Sequence, residues 1–337
     1  MRPAFGNHAS AECFALATLN GNGDSSDLEV ATSIERKDEA MADVIGLFLR
    51  SADNAYQKQL KSVAQREAKR HGFTLLVQAV PFDSTLQVSQ IREAIRSAAE
   101  TKMVAILVSG VRDVDLLPVA HEAAQAGLEW ALLNEGSFID EVREKYPNRA
   151  IFAATSNHSE IGHVQAQQIR AILGGKGRVL CVTGQLSNID ARLRLEGLKE
   201  GLDGGFQITE INADWTSEGA RRAVEAWAGA LTGKEALPDA FVAQNDEMAL
   251  GVRQALRDVE SQRDWPVGGA PILGCDGAED FGQRLVREGR LKATVIMPPG
   301  SGAAIEWVAR MRNGGERPPL RVVLPVTSFP ALSRLKP

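Results

Sequence analysis

From residue 43 onward the apolar and polar positions follow two alternating periods. Short runs with little internal polarity ("DVIGLFL", "FTLLVQAV", "MVAILVSG", "LEWALLN") are separated by longer stretches such as "AYQKQLKSVAQREAKRHG" and "TLQVSQIREAIRSAAE", in which apolar residues recur at helical spacing. The first kind reads as strands buried on both faces, the second as amphipathic helices that cover them. After "NRAIFAATSNHSE" the rhythm restarts with the helix "EIGHVQAQQIRAILGG". It then continues through the strands "GRVLCVTG", "FQITEINAD", "AFVAQN", "PILGCDG", "LKATVIMPP" and "LRVVLPV". Strands that alternate with helices build parallel sheets through right-handed crossovers. The pattern therefore predicts an α/β fold of two doubly wound parallel-sheet lobes. No low-complexity linker marks the break near residue 155, which predicts a rigid pair around a cleft.

Composition narrows the partners. The 337 residues are 44% hydrophobic and 24% charged, with a net charge of −5 and no basic block, so a nucleic-acid face is not expected. The apolar runs are strand-sized, which excludes a membrane-spanning reading of them. Cys13, Cys181 and Cys275 are odd in number and widely spaced, arguing against a disulfide framework or a metal site. Cys181 and Cys275 lie inside strand-like runs and read as buried thiols. His158 and His163 are five residues apart, off the spacing of a helical metal pair, and read as surface or capping side chains. Residues 1–42 mix Gly, Asn, Ser and acids and read as a disordered segment. Its one apolar piece, "CFALATL", is short for a secretory core and has no basic cluster before it. Neither a nucleophile elbow, a P-loop nor a strand–GxGxxG–helix is present, so the expectation is a binding protein with no catalytic residues, no cofactor and no metal.

The candidate chemistry sits where strands end. In "FVAQNDEMALG" an apolar run stops at Asn245, Asp246 and Glu247 before a helix begins. Other strand ends carry Arg50, Asp53 and Asn54; Ser109; Asn134 and Glu135; Ser156 and Asn157; Gln185; Asp214 and Trp215; and Asp276. One such residue is a turn or helix cap. Their recurrence at nearly every strand predicts convergent donors and acceptors beyond the carboxyl edges of the sheets, where ligands of open α/β sheets bind. With the aromatic faces of Tyr56 and Trp215 added, the set suits a small polyhydroxylated molecule. Asn245 is expected to face the ligand, Asp246 to cap the following helix, and Glu247 to sit in its first turn.

Several motifs, in order and at the right spacing, resemble the pentose- and hexose-binding periplasmic proteins, the type I family that includes ribose-binding protein and shares its fold with lactose-repressor-type sensor domains. These are "DNAY" after the first strand, "ARLRLEGLKEGL", "AQNDEMALG" and "ILGCDG" followed by "LKATV". The resemblance spans about residues 43–325. It implies ligand contacts from Asn54, Tyr56, Ser109, Ser156, Arg194, Trp215, Asn245 and Asp276, with Gln57 where a second aromatic is usual. Gln185 is a further candidate. Departures fall at Asn134 and Glu135, where an Asp-Arg pair is usual, at Arg50 in place of a small residue, and at Met297 in place of a glutamine. They imply weak or no ribose binding. Arg50 and Glu135 are expected to meet over the pocket floor, either in an ion pair or around the ligand.

The resemblance also implies lobes of residues 43–155 plus 298–324 and 156–297 plus 325–337, joined by a hinge. It implies a monomeric, periplasmic solute-binding protein that serves an ABC permease. The alternative is a cytosolic sugar-sensing domain without a DNA-binding module.

Overall fold

The computed structural model describes residues 42–336 except 234–236, 264 and 266–268. Cys13 and the segment read as disordered lie outside the described residues. The strands are β1 (Val44–Leu49), β2 (Thr74–Ala79), β3 (Met103–Val108), β4 (Glu129–Leu132), β5 (Ile151–Ser156), β6 (Gly177–Thr183), β7 (Phe206–Asn212), β8 (Ala240–Ala243), β9 (Ile272–Asp276), β10 (Ala293–Ile296), β11 (Arg321–Leu324) and β12 (Thr327–Phe329). They form two six-stranded sheets, ordered β11-β5-β4-β3-β1-β2 and β12-β10-β9-β8-β6-β7. Every pair is parallel except β10–β12, where a three-residue strand adds antiparallel at the edge. The sequence pattern did not reveal β12, because three partly exposed residues carry no periodic signal.

Burial follows position in the sheet. The inner strands β4, β5, β8 and β9 are buried at every residue, whereas the edge strands β2 and β7 alternate or lie open. Helices cover both faces of an inner strand, and an edge strand lacks one neighbour. Trp130, Phe48 and Phe152 in the first lobe and Phe241 in the second are fully buried. One apolar cluster is continuous from Ile45 and Leu47 through Phe152 to Cys275, Val295 and Met297, so residues of both sheets share one core. Cys181 and Cys275 are free and buried, and burial pushes both thiols up to about 12.

The chain passes between the sheets three times: after β5, after β10 and after β11. Beyond β10 the helix Gly300–Arg312 returns to the first lobe, where Ser301 Oγ donates to the carbonyl of Leu60 at 2.8 Å. In each sheet the strand order reverses beside the first strand of the lobe, at β1/β3 and at β6/β8. The crevice at such a reversal lies outside the carboxyl ends of the strands. Arg50 and Ser109 follow β1 and β3, and Gly184 and Gln244 follow β6 and β8, so the two crevices supply the polar groups described next.

Candidate ligand-binding site

A cavity lies between the carboxyl edges of the two sheets. Of the sequence candidates, Arg50, Asn54, Tyr56, Asn134, Arg194, Trp215, Asn245, Asp276 and Met297 line it. Ser109, Glu135, Ser156 and Gln185 do not. Gln57, Phe82, Leu133, Thr155, His158 and Asp190 complete the wall.

Arg194 is the most heavily engaged of these groups. It projects from the helix Ile189–Gly201 and is 4% exposed. Its Nε donates to His158 Nδ1 at 3.1 Å, Nη1 donates to the Gln244 carbonyl, and Nη2 lies 3.3 Å from Met297 Sδ. Its guanidinium faces the Trp215 ring at 5.6 Å, and Nη1 is 4.0 Å from Asp276 Oδ1. Burial raises the Asp276 pKa well above the carboxylate range, Arg194 opposes that, and the charge of Asp246 adds to it. Burial, followed by the Asp276 charge, pushes the Tyr56 hydroxyl up in the same way, so Tyr56 keeps its proton as a donor.

Trp215 and Asp276 both hold a left-handed backbone, φ 69° and 100°, rare for residues with a side chain. The Trp215 ring sits against Gly184, where an added Cβ would fall 2.1 Å from the ring, so that glycine is the seat of the indole. The Trp215 carbonyl is held by Asn245 Nδ2 at 3.0 Å. Asn245 is also the cap of its helix, since Oδ1 accepts the Met248 N–H at 2.7 Å. This corrects the expectation that Asp246 caps. Asp246 turns inward and accepts from the Gly277 N–H at 2.8 Å and Thr294 Oγ1 at 2.7 Å, with burial raising its pKa to about 7. Glu247 reaches the other lobe and accepts the Ala55 N–H at 2.7 Å. Gln244 accepts from the Gly184 N–H and donates to the Ala191 carbonyl. The polar run at the end of β8 is thus a junction in which each side chain ties down a different segment.

The expected meeting of Arg50 and Glu135 does not occur. Arg50 Nε donates to Ser109 Oγ at 3.2 Å, and Nη2 lies 3.6 Å from Asp190 Oδ2 on the opposite lobe. Glu135 turns away to Arg321 at 3.5 Å and offers only its backbone N–H to Asp190 Oδ1, at 3.2 Å. Arg321 is the nearer cation for Glu135, and the inward place beside Arg50 is filled by a buried carboxylate from the facing helix. Burial raises the Asp190 pKa, but the His158 imidazole, Arg50, Arg194 and the Glu135 N–H together hold it below the ordinary value.

Asn134 spends its amide within the first lobe, accepting from the Gly110 N–H and donating to Asp113 Oδ1 and the Glu135 carbonyl. Ser109 is buried as the support of Arg50. Ser156 is buried beside Thr155, which takes the cavity-facing position, because successive strand residues point to opposite faces. Gln185 is exposed. Asn54 caps the helix Ala55–Arg70 and lines the cavity with Tyr56. Gln57 does not carry the ring that is usual in the family. Phe82, from the loop after β2, supplies a third aromatic and packs against the second-lobe core.

His158 overturns its surface reading. It is 2% exposed, faces the cavity, and burial lowers its pKa to about 4. His163 is an outer residue, 3.1 Å from Glu200. Neither His158 nor Asp190 carried a signal in the sequence, because each stands in the first turn of a helix where a capping role explains it equally well.

A model of the periplasmic binding protein domain matches residues 45–316. The chain belongs to that family. Members are binding proteins, and this agrees with the reading of the chain as a binder rather than a catalyst. The chain is 29% identical over 305 residues to a Rhizobium meliloti protein named "Putative rhizopine-binding protein", covering 88% of this chain and 93% of that one. It is 24% identical over 257 residues to the ribose import binding protein of Haemophilus influenzae, covering 76% and 80%. Among solved structures it is similar to an ABC transporter periplasmic solute-binding protein from Actinobacillus succinogenes with bound D-allose (TM-score 0.73, 20% identity, 85% and 96% of the two chains). It is also similar to one from Bacillus halodurans with bound myo-inositol (TM-score 0.71, 21% identity, 86% and 95%). These likenesses show the type I periplasmic-binding fold. No helix among the described residues is long and apolar enough to cross a membrane.

Proposed function

We propose that this protein captures a carbohydrate or polyol between its lobes and delivers it to an ABC-type importer, working in the periplasm with a permease as its partner. The observation that carries this reading is the make-up of the cavity wall. Three aromatic residues, Tyr56, Phe82 and Trp215, stand among two arginines, two aspartates and several amides contributed by both lobes. Aromatic faces cover the C–H faces of a sugar ring, while carboxylates, amides and guanidinium groups take its hydroxyls. The names of the relatives, which include ribose and apiose import binding proteins and a xylitol-binding protein, support the same class of ligand. The proposed contacts are Arg50, Asn54, Tyr56, Asn134, Arg194, Trp215, Asn245, Asp276 and Met297.

The proposed moving bodies are residues 43–155 with 298–324 and residues 156–297 with 325–337. A ligand that touches both lobes binds the closed form better and shifts the population toward it.

A thermal-shift screen over pentoses, hexoses, inositols, linear polyols and sugar acids tests the reading. At least one neutral member should raise the melting temperature at micromolar concentration, and ribose should not be the strongest. If no member of the panel stabilises the protein, the proposed class of ligand is wrong.

A further inference from the structure

His158 is the first residue of the helix His158–Leu173, which carries the chain into the second lobe, and its neighbours decide where its proton sits. Nδ1 lies 3.1 Å from Arg194 Nε. A guanidinium Nε bears a hydrogen and has no lone pair to offer, so it can only donate. Nδ1 must therefore present its lone pair. A neutral imidazole keeps one hydrogen, and that hydrogen is then on Nε2. Nε2 faces Asp190 Oδ1 at 3.4 Å and Thr155 Oγ1 at 3.2 Å, both able to accept. This one protonation state satisfies the hydrogen bonds to Arg194 and Thr155 and turns the N–H edge of the ring toward the Asp190 carboxylate.

We propose that His158, held as the neutral Nε2–H tautomer, is a positioning residue that sets Arg194 and Asp190 in place over the ligand cavity. Its effect on binding rests on the proposed function, whereas the tautomer rests on geometry alone. Among the described residues Arg194 Nε has no other acceptor, so without His158 a buried N–H would lack a partner and the guanidinium would lose one of the bonds that fix its tilt against the Trp215 ring. Asp190 receives two first-lobe groups, the Glu135 N–H and Arg50, so the imidazole also steadies the carboxylate that the opposite lobe meets. The charged groups facing the imidazole are Asp190 and Arg194 from the helix Ile189–Gly201 and Arg50 from the end of β1. Asp190 favours an imidazolium, while burial and the two arginines oppose it.

Two variants separate positioning from simple packing. His158→Leu fills the space with neither donor nor acceptor. His158→Asn puts a carbonyl oxygen near the place of Nδ1 and so restores the acceptor for Arg194. Nitrogen-15 NMR of the ligand-free full chain with labelled histidine identifies the His158 signals as those missing from His158→Asn. The expected result is a protonated Nε2 and a bare Nδ1 at neutral pH. The other tautomer, or an imidazolium, overturns the proposal. The Arg194 Nε–H should exchange slowly in the wild type and in His158→Asn and quickly in His158→Leu, and equal exchange in all three also overturns it. With myo-inositol as the probe, calorimetry should show His158→Leu losing at least about tenfold in affinity and His158→Asn staying within about threefold of the wild type. Equal loss in both variants, or in neither, counts against positioning. If the wild type binds neither myo-inositol nor any other sugar or polyol, the proposed function falls, and the NMR results still decide the role of His158.

Discussion

Glu247 of the second lobe accepts the backbone N–H of Ala55, the first residue of the opening helix of the first lobe, at 2.7 Å. The bond spans the cleft one residue away from Asn54, a cavity residue, and so couples the distance between lobes to the shape of the site. Replacing Glu247 by Ala removes a charged acceptor from a partly buried donor, a change of about 1.5–3 kcal/mol in comparable cases. The cost falls on the closed form alone. The variant should bind ligand roughly ten- to a hundredfold more weakly and should scatter X-rays as a more extended particle at subsaturating ligand. An unchanged affinity together with an unchanged radius of gyration would show that the bond plays no part in closure.

Adjacent residues at the end of β8 should fail in different ways. Asp246→Ala leaves the Gly277 N–H and the Thr294 hydroxyl buried without an acceptor, each worth about 1–3 kcal/mol. The main effect should be a lower urea midpoint. Asn245→Asp keeps the oxygen that caps the helix but loses the donor that holds the Trp215 carbonyl. It should lower the urea midpoint by less than Asp246→Ala does, since one buried group rather than two is left unpaired, and it should weaken binding. If Asn245→Asp were the less stable of the two, the division of labour between cap and inward carboxylate would be wrong.

Gly184→Ala should act through the indole. A methyl group there collides with the Trp215 ring unless the ring moves. Overpacking of this kind costs about 1–3 kcal/mol. The ring is already held by a left-handed backbone, so the adjustment should displace it from the cavity. The expected outcome is a shift in tryptophan emission with a loss of affinity larger than the loss of stability. Ligand binding at wild-type strength would show that the ring can move without consequence.

The response to pH should have two opposing parts. His158 titrates near 6.5 when unfolded and at about 4 in the fold, because burial disfavours its charge. The unfolded chain therefore binds its proton first. The stability tied to His158 is complete above pH ~6.5 and is lost as pH falls through the window down to ~4, by about 1.4 kcal/mol per pH unit and up to about 3 kcal/mol in all. Asp113 behaves in the opposite sense. Burial, then the Asp190 charge, raises it to about 7, so its contribution is complete below the ordinary carboxylate range and is lost as pH climbs toward 7. Urea unfolding at several pH values should find that His158→Asn flattens the acid limb and Asp113→Asn the neutral limb. Parallel curves for the wild type and both variants would show that neither group titrates as its surroundings require.

Where sequence succeeded and where it did not follows from the range of each interaction. Inner strands such as β4 and β8 are apolar because helices bury both faces, and that leaves a mark on every residue of the run. The cavity candidates at strand ends were legible for a similar reason, since the carboxyl edge of a parallel sheet is one place and its residues follow each strand directly. The fate of each side chain there was not legible. Asn245 and Asp246 are neighbours with nearly the same shape, and only the positions of Gly277 and Thr294, far along the chain, decide which turns inward. Arg50 was drawn toward Glu135 by the order of the strands, yet its partner Asp190 comes from a helix of the other lobe. His158 lies thirty-six residues from Arg194, and no local pattern announces that pairing.

The three passages between sheets also govern how the molecule is made. When β5 has emerged from the ribosome the first sheet lacks β11, its neighbour on that side, and β10 in turn waits for β12. Unpaired strand edges are templates for the wrong partner. Both are covered by residues 321–329, which follow every other strand in chain order. Neither sheet is complete until residues 321–329 have been made, and a fragment cut at residue 156 would carry an open edge along β5. Removing residues 321–329 should therefore harm both lobes at once, although none of them lines the cavity.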